Sequence, residues 1–105
     1  MNDGKFGLSN NTIEELCSIF KEYPNIEEAL VFGSRAKGTY HNGSDIDIAL
    51  KGQNITYNQI LDIYVKIDDL DLLYKIDLLS YNDKVGTPIS EHIDRVGKVF
   101  YSKKD

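Results

Sequence analysis

At 105 residues with 41% apolar content, the chain is long enough for one modest hydrophobic core and is not disordered by composition. Its net charge of -5 argues against a protein that grips nucleic acid by neutralising phosphates, because that mode needs a basic surface. No apolar run approaches the roughly 20 residues that cross a bilayer, the start Met1-Asn2-Asp3-Gly4-Lys5 lacks a signal-peptide pattern, and the lone Cys17 has no internal disulfide partner; together these point to the cytoplasm.

Thr12 to Glu15 reads as a capping box, and Ile13, Leu16, Cys17 and Phe20 recur at helical spacing up to Pro24. A first amphipathic helix is expected there, with Cys17 as a buried core thiol. Ala29-Leu30-Val31-Phe32 belongs to a buried strand of about 27 to 32 that ends at Gly33-Ser34, where a helical turn begins and backbone N–H groups are placed to receive a phosphate. A Gly-rich polar loop, Gly38 to Gly43, leads into a second strand of about 45 to 51. Its period-two alternation turns Asp45 and Asp47 to one face and Ile46, Ile48 and Leu50 to the other.

Thr56 with Gln59 caps a helix of about 57 to 70 whose apolar face is Ile60, Ile63, Tyr64, Ile67 and Leu70. Asp68, Asp69 and Asp71 oppose the helix dipole at its end and mark where it frays. A third strand, Tyr74 to Leu79, places Asp77 on the face opposite Ile76 and Leu78. Thr87-Pro88 opens a last helix with Ile89, Ile93 and Val96, which stops at Gly97 before a short apolar tail, Val99-Phe100-Tyr101. Alternating helices and strands indicate one α/β domain over 1–105 with a small sheet, whose strand order a single sequence does not determine.

Two carboxylates sharing a small patch repel each other and raise each other's proton affinity unless a cation sits between them. Mg²⁺ is the natural occupant, since it takes hard oxygen ligands from one or two carboxylates and completes its shell with water and phosphate. The pattern Gly33-Ser34, ten residues, then Asp45-Ile46-Asp47 resembles the signature of the DNA polymerase beta-type nucleotidyltransferase superfamily. Asp77, on the third expected strand, stands where that family carries its third catalytic carboxylate. The length is close to that of minimal nucleotidyltransferases, the MNT antitoxins encoded beside HEPN-domain toxins, and the resemblance runs from about Ile26 to Tyr101.

The resemblance implies the nucleotidyltransferase fold, a small mixed β-sheet backed by helices. It further implies transfer of AMP from ATP, with two Mg²⁺ ions held by Asp45, Asp47 and Asp77, and with Asp77 also orienting or deprotonating the acceptor hydroxyl. Gly33 and Ser34 would meet the triphosphate, while Arg35 and Lys37 suit its β- and γ-phosphates. Ser44 steadies the entry to the Asp45 strand and is an outlying candidate for nucleotide contact. The implied acceptor is a tyrosine on a cognate HEPN ribonuclease toxin. Two other readings stay open: an antitoxin that neutralises by binding alone, and a small-molecule nucleotidyltransferase. His41 and His92 lack a second ligand at metal-binding spacing and are expected to be solvated or structural. Tyr40 is a candidate for stacking on a nucleobase, and the other tyrosines, Tyr57 and Tyr64 among them, are expected in core or rim packing.

Overall fold

The first helix, α1 (Asn10–Lys21), starts at a different cap from the expected one in the computed structural model, which describes residues 5–38 and 45–103. Ser9 takes extended backbone geometry and its hydroxyl accepts from the Thr12 N–H at 3.1 Å. Thr12 itself turns inward as a buried residue. Its hydroxyl needs an internal partner there, and the Ser9 hydroxyl donates to it at 3.0 Å. Cys17 is half-buried rather than fully buried, with its thiol donating to the Phe100 carbonyl. Burial, and then Glu14, push its proton affinity up.

The remaining elements follow as β1 (Ile26–Phe32), α2 (Ser34–Lys37), β2 (Ile46–Gly52), α3 (Tyr57–Asp68), β3 (Ile76–Ser80), α4 (Pro88–Val96) and β4 (Lys98–Ser102). The caps of the last two long helices are the expected ones: Thr56 accepts from the Gln59 N–H, and Thr87 accepts from the Ser90 N–H with Pro88 in the first turn. The apolar tail is a correction. Val99-Phe100-Tyr101 is the middle of β4, which pairs antiparallel with β1.

The strands form one mixed sheet in the order β3-β2-β1-β4. β1 is antiparallel to both of its neighbours, and β2 runs parallel to β3, a pairing that requires a crossover; α3 supplies it. At the β3 edge, the Leu78 N–H donates to the Tyr64 hydroxyl at 2.7 Å, so a side chain from α3 satisfies a strand-edge amide.

Alternation along the strands decides what each face of the sheet becomes. Ile46, Ile48 and Leu50 of β2 are fully buried and join Val31 of β1, Leu16 and Phe20 of α1, and Ile63 and Ile67 of α3 in the main core. The intervening residues face α4, where Leu30, Ala49 and Ile93 form a much smaller cluster edged by Phe32, Leu79 and Tyr81. Of the three apolar residues expected to seat α4, Ile93 alone is fully buried, while Ile89 is 43% exposed. α4 therefore covers this face with a narrow contact. Gly97 ends the helix with extended backbone, and a Cβ there would lie 2.5 Å from the Ile93 carbonyl, which is why this turn into β4 takes glycine. Tyr57, expected in core or rim packing, is 74% exposed instead. Among the described residues, no helix is long and apolar enough to cross a membrane.

Candidate active site

Parallel pairing in register puts Asp47 of β2 directly beside Asp77 of β3. In-register residues on neighbouring strands project to the same face about 4.8 Å apart, and here that face is the thinly covered one beside α4. Asp45 immediately precedes β2 and is exposed. The electrostatics follow from this crowding. Burial raises the proton affinity of Asp47 first, and the negative charges of Asp77 and then Asp45 raise it further; His92 acts in the opposite direction. The fold thus gathers three acidic residues whose repulsion a bound cation would relieve.

Gly33 closes the site from the other side. Its neighbour Phe32 is the register partner of Asp47 across the β1–β2 pair, so the chain turns over the Asp47 carboxylate as β1 ends. Gly33 sits at φ 75 and ψ -151, a region open essentially to glycine alone. A Cβ there would lie 2.6 Å from Asp47 Oδ2. Glycine is thus required twice, once for the backbone and once for the carboxylate beneath it. Ser34 begins the single turn of α2 and is half-buried, and Lys37 at its end is exposed.

Arg35, expected to meet phosphate, is held inside the fold. It is 2% exposed, its guanidinium donates to the Phe6 carbonyl at 2.8 Å, and it lies over the Tyr74 ring at 5.0 Å. Those contacts tie the N-terminal segment and the approach to β3 onto α2. An arginine held in this way is a strut, with little surface left for a nucleotide. Ser44, Tyr40 and His41 lie outside the described residues.

His92, expected to be solvated or structural, packs beside the site. Projecting from α4, its ring meets Phe32 edge-to-face at 6.2 Å, and its charge is felt by Asp47. No local pattern could have revealed this, because the two residues meet only when α4 folds back onto the sheet.

Among the described residues, no group of three or more His, Cys, Asp or Glu side chains is gathered tightly enough to cage a metal. The Asp47–Asp77 pair has the chemistry of the other kind of site, in which one or two carboxylates hold Mg²⁺ and water and substrate phosphates complete the shell.

The family model for "Polymerase beta, Nucleotidyltransferase" matches residues 14–105. The chain belongs to this nucleotidyltransferase family. The crystal structure of a toxin–antitoxin with AMP-PNP is similar, with a TM-score of 0.68 and 26% identity over 90% of this chain and 74% of that one. The toxin–antitoxin MntA-HpeT, as a mutant with two aspartates replaced by glutamate, shares the fold at a TM-score of 0.68 and 18% identity, over 86% of this chain and 72% of that one. No curated protein matches the chain. Membership assigns this nucleotidyltransferase the general chemistry of its family, which works on nucleoside triphosphates with divalent metal ions.

Proposed function

We propose that the chain is a single-domain, Mg²⁺-dependent adenylyltransferase of the cytoplasm that acts as an antitoxin, moving AMP from ATP onto a tyrosine hydroxyl of a HEPN ribonuclease toxin. The observation that carries the reading is the in-register Asp47–Asp77 pair with Gly33 folded over Asp47. The AMP-PNP present in one similar toxin–antitoxin structure supports an adenine nucleotide and a toxin partner.

In this reading the Asp47–Asp77 pair would hold the metal, with Asp45 beside it at the head of β2, and the metal when bound would neutralise charge on the triphosphate. Asp77 accepts the proton of the acceptor hydroxyl as its oxygen bonds to the α-phosphorus. The bond from that phosphorus to the α,β-bridging oxygen breaks, and pyrophosphate leaves with the electron pair. Gly33 leaves room for the triphosphate beside Asp47, Ser34 offers a hydroxyl to it, and exposed Lys37 is the cation available for the outer phosphates.

Intact-mass spectrometry tests the proposal. The purified chain, incubated with ATP, Mg²⁺ and the HEPN protein encoded beside it, should add about 329 Da per AMP to that protein, the mass of AMP transfer with loss of pyrophosphate. An unmodified HEPN protein whose ribonuclease is nevertheless blocked in a stable complex overturns the enzymatic reading in favour of inhibition by binding.

A further inference from the structure

α3 is seated through Ile63 and Ile67 in the core, yet its outward surface carries a second apolar stripe. Tyr57, Leu61 and Val65, spaced four residues apart, are 74%, 42% and 63% exposed. They line one side of the helix over about 12 Å, at a rise of 1.5 Å per residue. Beyond the helix, Leu73 is 97% exposed, without the cover that a leucine of this size normally finds. Single exposed apolar residues are ordinary on a protein surface, whereas an aligned row followed by a bare leucine is the mark of a docking face.

This face turns the corner towards the chemistry. The end of α3 meets the start of β3, where Ile67, Asp68, Asp71, Leu72 and Ile76 border one small cleft, and the Lys75 carbonyl accepts from the N–H of Ile46, the residue after Asp45. α3 itself covers the sheet face opposite Asp47 and Asp77, so a body lying on it reaches the carboxylates round the end of the sheet, through the 69–75 segment. Strand addition is not how it binds, since Tyr64 already takes the Leu78 amide on the β3 edge. The charge around the stripe is acidic. Asp68, Asp69 and Asp71 face Lys75 alone in the segment 68–75, and Lys66 is engaged by Glu22 and Asp62. On a chain of net charge -5, this favours a cationic occupant over a second copy of the same chain.

We propose that the outer face of α3 with Leu73 is the docking surface for the protein acceptor, which presents apolar side chains flanked by Lys and Arg. The inference rests on the adenylyltransferase reading and supplies what that reading lacks, a place where the acceptor is held while its tyrosine reaches Asp77.

Steady-state AMP transfer to the HEPN protein, together with its binding to the chain by calorimetry, tests the surface with two variants. Val65→Glu/Leu73→Glu replaces exposed side chains only. Asp68→Lys/Asp69→Lys favours the helix end through its dipole, so weaker docking by it cannot be ascribed to unfolding. Each should raise KM and Kd for the HEPN protein at least tenfold, leave kcat within about twofold and leave ATP affinity unchanged. The charge variant should also flatten the salt dependence of binding. Unchanged KM and Kd in both variants overturn the proposal, as does a wild-type homodimer that the variants dissociate without altering HEPN affinity. If the wild type binds the HEPN protein without transferring AMP, the enzymatic reading fails, and the Kd of the variants still decides the docking surface.

Discussion

The two faces of the sheet are made by the same strands and have opposite constitutions. Towards α1 and α3, consecutive strands contribute isoleucine, leucine and valine that are completely buried. Towards α4, the same strands contribute Asp47 and Asp77 beside a cluster as small as Leu30, Ala49 and Ile93. Stability is concentrated on one side, which leaves the other free to hold a charge arrangement that by itself destabilises the fold. Ile46-Asp47-Ile48 shows this at the scale of single residues, since neighbours in the chain serve opposite faces.

If the faces divide labour in this way, Ile48→Ala should damage only the fold. Loss of a fully buried isoleucine with its cavity costs about 2–5 kcal/mol, read as a fall in the urea midpoint, while transfer per folded molecule is retained. Asp47→Asn should do the reverse. Transfer is expected to drop at least about a hundredfold, the scale of losing an electrostatic stabiliser, with the circular dichroism spectrum unchanged.

The same variant sharpens the comparison through pH. Because Asp47 has its proton affinity raised in the folded protein, its contribution to stability is present below about pH 4 and is lost as pH rises through the elevated value. Without metal at neutral pH, Asp47→Asn should therefore melt at or above the wild-type temperature. A clear fall in melting temperature would mean that the carboxylate holds the fold together.

Two residues at the boundary between the faces test how clean the division is. Arg35→Gln should lower stability by about 1.5–3 kcal/mol, the scale of a hydrogen bond to a charged group, with little change in ATP affinity. Weakened ATP binding at intact stability would return Arg35 to the phosphates. Gly33→Ala is expected to harm both properties. Left-handed strain costs about 1–3 kcal/mol, and the added methyl pushes on Asp47, so the melting temperature and the transfer rate should fall together.

The sequence by itself determined the local features. Helical spacing and the Thr56 and Thr87 caps set α3 and α4, and strand alternation sorted Ile46, Ile48 and Leu50 from Asp47, because these are interactions between residues a few positions apart. The Gly33-Ser34 and Asp45-Ile46-Asp47 spacing named a family that the match over residues 14–105 bears out. Only the tertiary structure decided the strand order, turned the apolar tail into β4, buried Arg35 against Phe6 and Tyr74, packed His92 on Phe32, and set Asp77 level with Asp47. Each of these depends on contacts between segments far apart in the chain. Their geometry follows from which faces pack and in what register, and a local residue pattern carries neither.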